Sequence, residues 1–157
     1  MISKLMIISG GQSGVDRAAL DFAQKNKVNS GGWCPKGRKA EDGTIDEKYP
    51  LDETTDSSYE NRTKFNVRDS DGTLILFITP MDAGTRLTFK LAQEMNKPVL
   101  VIDLSENKDA RHHKVHNWIH FNHLEILNIA GPRESNSPGI YAETMEFLEE
   151  LFFIKYS

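Results

Sequence analysis

The chain has 157 residues, 38% hydrophobic and 27% charged, with a formal net charge of −4. That size suits one domain with a core between sheet and helices, and the acidic balance with dispersed Lys and Arg lacks the basic footprint of a nucleic-acid binder. The single Cys34 excludes an internal disulfide and no apolar run reaches bilayer length, so the expectation is one domain over 1–157 in a reducing cytoplasm, with no membrane partner.

Residues 5–9 read as an apolar strand that passes through the glycine turn Gly10, Gly11, Gln12, Ser13 and Gly14 into a helix over 15–27. Glycines there permit conformations and close approaches that a Cβ blocks, and the first helical turn presents free N–H groups, so the unit suits an oxyanion. A tight turn without a ligand is the alternative; Gln12, Ser13, Asp16 and Arg17 crowd it with more polar groups than a plain turn needs. Neither a P-loop ending nor GxGxxG spacing is present.

A short strand follows at Gly31, Gly32 and Trp33, and residues 34–58 form a polar stretch without periodicity, either a functional excursion or partly mobile. On a helix over 59–68, Tyr59, Arg62, Thr63 and Asn66 share one face, which is polar but poor in the Lys and Glu of a solvated surface. That face is read as lining a site. Asp69, Ser70 and Asp71 end the helix, where the carboxylates either meet ligand hydroxyls or a hydrated cation or form an Asx-type turn.

The apolar run 73–78 reads as a central parallel strand. A helix over 84–96 opens on Gly84 and Thr85, a second candidate anion seat, and leads to a strand at 99–102. The next helix, 108–123, holds all five histidines, with His112, His116 and His120 spaced i, i+4, i+8. Without an HExxH pattern or helper carboxylate, they are read as bordering a buried stripe, and no structural metal is expected. A strand at 125–129 precedes a loop in which Arg133 offers a bidentate grip on phosphate or carboxylate, with Ser135 and Ser137 beside it. The last helix, 139–153, carries more apolar surface than one sheet-facing stripe needs, which predicts a homo-oligomer, a dimer or tetramer.

Alternating strands and helices predict a three-layer α/β, Rossmann-like domain with a mainly parallel sheet. Its strand C-terminal ends share one edge, where the loops at 10–14, 81–88 and 130–139 meet around a ligand.

The runs GGQSGVDRAALDFA, GGWCPKGRKAEDGTIDEKYPLDET, YENRTKFNVRDSDGTLILF, DAGTRLT and NIAGPRESNSPGIY together resemble the family named putative molybdenum carrier, or cpYpsA, of the SLOG superfamily of Rossmann-like proteins. The resemblance spans nearly the whole chain. It implies a domain that binds a phosphorylated small molecule, pterin or nucleotide-like, with the molybdenum cofactor, a phosphorylated pterin, or a nucleotide as its cofactor. It also implies that the excursion closes over the site, offering Lys36, Arg38, Glu41, Asp42 and Thr44 to the ligand. Cys34 is either a soft metal ligand or a small buried hydrophobe. A related group in the superfamily, the lysine-decarboxylase-like enzymes, cleaves nucleoside monophosphates through a PGGxGTxxE motif. Here Thr88 stands where that Glu is expected, which sets a nucleotide-processing hydrolase as the alternative function and a binding or carrier protein as the first. Asp16, Asp69 and Asp71 are the acid groups available to such an enzyme.

Overall fold

The structure, a computed structural model, describes residues 2–78 and 80–153. Its elements in chain order are β1 (Met6–Ile8), α1 (Val15–Lys25), β2 (Ser30–Gly31), β3 (Trp33–Cys34), β4 (Lys39–Ala40), β5 (Gly43–Thr44), β6 (Asp52–Glu53), α2 (Tyr59–Asp69), β7 (Gly72–Phe77), α3 (Ala83–Glu94), β8 (Val99–Asp103), α4 (Lys108–Phe121), β9 (Ile126–Ala130) and α5 (Ile140–Phe153). Five of the strands form one sheet in the order β2-β1-β9-β7-β8, and every pairing in it is parallel.

The helices cover both faces, as a parallel sheet requires. α1, α4 and α5 pack on one side, where Val15, Phe22, Val115, Ile119, Phe147 and Leu151 close over Ile7, Leu74, Leu76, Ile102, Leu127 and Ile129. α2 and α3 cover the other side. The fold is the expected three-layer α/β arrangement, with β7 buried along most of its length because its run Thr73–Leu76 faces helices on both sides.

The strand expected at 31–33 is split. Gly31 pairs with Ile8 in the main sheet, whereas Trp33 and Cys34 pair with Asp52 and Glu53 in a separate two-stranded sheet. Asn66 of α2 fixes this departure: its Oδ1 accepts from the Trp33 N–H at 2.8 Å and its Nδ2 donates to the Trp33 carbonyl at 3.0 Å. The excursion that follows is built around a small core of its own, in which Cys34, Ala40, Ile45, Tyr49 and Leu51 pack with Leu20 of α1. Arg38 ties it together by donating to the carbonyls of Ile45, Asp46, Tyr49 and Leu51 at 2.8–3.2 Å.

Helix starts follow capping chemistry. Ser58 caps α2 by accepting from the Glu60 and Asn61 N–H groups, Asp82 caps α3 through the Thr85 N–H, and Asn107 caps α4. Because Asp82 is the cap, α3 begins one residue earlier than the sequence predicts.

Candidate functional site

The loops leaving β1 and β7 turn toward helices on opposite faces of the sheet, and β9 lies between them. This divergence opens a crevice at the strands' C-terminal edge, the usual ligand position in open α/β sheets. A cleft of about 120 Å³ occupies it. Gly10, Gln12 and Asp16 line it from the β1 side; Tyr59, Arg62, Thr63 and Asn66 from α2; Asp82, Gly84, Thr85 and Thr88 from α3; Asn128, Gly131 and Arg133 from β9 and its loop. Sites that enclose a whole cofactor run to roughly 300–1,000 Å³. This one is smaller than that range.

The polar face of α2 thus lies along the cleft, although its members do different work there. Asn66 spends its amide on Trp33, and the Thr63 hydroxyl donates to the Tyr59 carbonyl at 2.9 Å. Arg62 reaches furthest in. It is 8% exposed, donates to the Gly10 carbonyl at 2.8 Å and approaches Asp16 at 3.4 Å, while its Nε has no hydrogen-bond partner. Thr85, 2% exposed, likewise has a hydroxyl without a partner. A buried polar atom left unpaired costs about 1–3 kcal/mol; these two share the cleft, and Arg111, His112 and Thr144 carry others on α4 and α5.

The glycine turn is filled by the protein itself. A Cβ on Gly10 would clash with Arg62 Nη1, and one on Gly14, at φ +79°, would lie 2.8 Å from the Glu134 nitrogen. The Gln12 N–H donates to Asp16, the Ser13 N–H to the Gln12 side chain and the Val15 N–H to the Pro132 carbonyl. These glycines therefore admit Arg62 and the loop after β9, and the charge that faces the cleft from this side is guanidinium.

Carboxylates balance it. Burial pushes the Asp16 carboxyl up to about 6 from its ordinary 3.8, against the opposing pull of Arg62. Burial would raise Asp82 too, but the Thr85 side chain, the Asn136 amide at 2.8 Å and the Thr85 N–H at 2.9 Å hold it below its usual value. The cleft thus offers cationic donors, an unused hydroxyl and one acid poised to change protonation near neutral pH.

A second hollow of about 780 Å³ flanks the other side of the glycine turn, lined by Ser13, Gly14, Arg17, Asp21, Glu41, Asp42, Tyr49 and Tyr141 among others. Its charged groups satisfy one another. Arg17 is bidentate to Asp42, and Asp21 accepts from the Tyr49 and Tyr141 hydroxyls at 2.5 Å, a bond that with burial pushes Tyr141 up to about 12. Glu41 accepts from the hydroxyl of Ser13 and from the N–H and hydroxyl of Ser135, joining the excursion to two loops of the sheet edge.

The remaining expected residues lie elsewhere. Arg38 is consumed by backbone carbonyls, while Lys36 and Thr44 are exposed on the excursion and do not line the cleft. Asp69 accepts from the Trp33 indole and pairs with Arg68. The Ser70 hydroxyl donates to the Val67 carbonyl, and Asp71 accepts from the Glu125 and Ile126 N–H groups. These three precede β7, so they sit at the edge of the sheet opposite the cleft. Cys34 is fully buried in the excursion's core, where burial raises its thiol pKa. Asn128 and Asp82 line the cleft without having been singled out; an Asn inside the apolar strand Ile126–Ala130 was the available signal for the first.

Fold and cleft together define a Rossmann-like α/β protein whose crevice sits at the parallel sheet's C-terminal edge. Residues 7–152 match the family described as circularly permutated YpsA SLOG (cpYpsA), and the chain belongs to that family. It is similar to a crystal structure of a protein from Syntrophus aciditrophicus named putative molybdenum carrier protein, with 46% identity, a TM-score of 0.93, and coverage of 97% of this chain and 96% of that one. No curated protein matches the chain.

Proposed function

We propose that this protein binds and carries a phosphorylated small molecule, pterin or nucleotide-like, in the cleft at the C-terminal edge of the sheet. The observation that carries this reading is the pair of buried, unpartnered groups in the cleft, Arg62 Nε and Thr85 Oγ1. A phosphate oxygen accepts from both types of donor, and Arg133 stands at the rim to add a third contact.

The name of the similar protein points to the molybdenum cofactor. The donor set fits its phosphate rather than its metal: among the described residues no three of His, Cys, Asp and Glu could jointly hold a metal ion. When bound, that cofactor supplies molybdenum redox chemistry to the enzyme that receives it. This chain's part is to hold the phosphate on Arg62 and Thr85, with Arg133 at the rim, and leave the rest of the molecule outside the small cleft.

Asp16 favours a second reading, a nucleotide-processing hydrolase, because a carboxyl raised to about 6 beside a ligand cleft suits proton transfer. Mass spectrometry of small molecules released from gently purified protein separates the outcomes. The carrier reading expects a phosphorylated pterin or intact nucleotide, and no free base when the protein is incubated with nucleoside monophosphates. Base release that survives repurification and disappears in Asp16→Asn would establish the hydrolase instead.

A further inference from the structure

Tyr59 opens α2 at the mouth of the cleft, and three cations gather about its ring. Lys39 Nζ lies 5.0 Å, Arg62 Cζ 5.3 Å and Arg133 Cζ 5.9 Å from the ring centroid. A ring attracts a cation over its face by about 0.5–1 kcal/mol at exposed sites. Three like charges around one ring also repel one another, so the ring alone does not account for the cluster. Nor does local periodicity, since the three come from β4, α2 and the loop after β9.

The nearby carboxylates leave this charge partly unanswered. Asp16 approaches Arg62 at 3.4 Å, Glu41 lies 4.0 Å from Arg133, and Asp82, which the charge of Arg133 helps to hold ionised, lines the cleft together with Glu60. Among the described residues, Lys39 has no carboxylate within ion-pair distance. The cations differ in exposure: Arg62 is buried, the Arg133 side chain is 40% exposed, and Lys39 is exposed on the excursion's hairpin. The most buried of the three, Arg62, carries the unpartnered Nε.

We propose that this cluster selects a ligand with two adjacent anionic groups, a diphosphate, with the first group on Arg62 and Thr85 and the second beside Tyr59 on Arg133 and Lys39. The inference rests on the phosphate reading of the cleft and adds Lys39 to the binding residues. It agrees with the size of the cleft, which holds one group and sends the next toward the rim. It also gives the excursion a share in recognition, through β4.

Isothermal titration calorimetry with inorganic phosphate and inorganic pyrophosphate, in metal-free buffer, tests it on the wild type, Lys39→Gln and Lys64→Gln. Lys64 is exposed on α2 and matches the change in charge. The wild type is expected to prefer pyrophosphate by about tenfold, the worth of one charge-assisted hydrogen bond. Lys39→Gln is expected to reduce that preference to about twofold while leaving phosphate affinity unchanged, and Lys64→Gln to leave both unchanged. Equal affinity for the two anions, or equal effects of the two substitutions, overturns the diphosphate inference alone. Failure of both anions to bind overturns the phosphate reading beneath it as well.

Discussion

Thr85 puts stability and binding in opposition. Its hydroxyl is buried without a partner, so the near-isosteric Thr85→Val removes a desolvated polar group from the free protein. The variant is expected to unfold at the same or higher urea concentration than the wild type, yet to bind a phosphate probe more weakly by about 0.5–1.5 kcal/mol, or more if the bond is charge-assisted. Lower stability with unchanged affinity would make Thr85 a packing residue. Asp16 provides a pH signature. Burial lifts its carboxyl from 3.8 to about 6, so the folded protein holds the proton more tightly than the unfolded chain does. Its stabilising contribution is therefore fully present below pH 3.8 and lost as pH rises through about 6, a change of up to about 3 kcal/mol. Asp16→Asn carries no titrating proton, so its unfolding free energy should gain on the wild type between pH 4 and 7. Parallel curves for the two proteins would contradict burial as the dominant influence on Asp16.

Among the elements, the excursion and α4 make separate predictions. Arg38 anchors four backbone carbonyls across residues 45–51, so Arg38→Ala is expected to cost more than about 2 kcal/mol and to open this segment to limited proteolysis while the sheet stays folded. Uniform protection would show that the apolar cluster around Ile45 holds the excursion unaided. On α4, His112 is 1% exposed and stacks on Phe147 of α5 with ring centroids 5.1 Å apart. Burial holds its imidazole below 6.5, against the pull of Glu150 at 3.5 Å and with the help of Arg111. A depressed folded value means that the stability of the neutral ring is present above pH 6.5 and lost as pH falls through the folded pKa. Denaturant unfolding should show His112→Gln losing less stability than the wild type between pH 7 and 5. The order of these elements, the parallel sheet and the cleft-facing side of α2 were legible because apolar runs and helical spacing are local signals. The roles of the glycines were not: Gly10 makes room for Arg62, a residue 52 positions away, and chain-distant packing leaves no periodic trace. Asp69, Ser70 and Asp71 were misplaced for a directional reason. Residues before a parallel strand lie at its N-terminal end, away from the cleft, and that direction was available from the strand assignment itself.

Across the whole molecule, the expectation of self-association narrows to particular side chains. Phe152 packs against Phe22 with centroids 4.9 Å apart and belongs to the fold, whereas Phe121 is 81% and Phe153 61% exposed. We propose a homo-oligomer that covers Phe121, with Phe121→Asp expected to dissociate it in analytical ultracentrifugation. A single species at the monomer mass of 17.8 kDa across micromolar concentrations would contradict it. No helix among the described residues is long and apolar enough to cross a membrane. The central claim, that the cleft binds phosphate through groups left unpaired in the free protein, is tested most directly by heteronuclear NMR of the Arg62 Nε–H signal during titration with inorganic pyrophosphate. The account predicts a saturable downfield shift of that signal, together with shifts of the Gly84 and Thr85 amides, as Arg62 gains an anionic acceptor. An Arg62 signal that stays fixed while exposed lysines alone respond would contradict it.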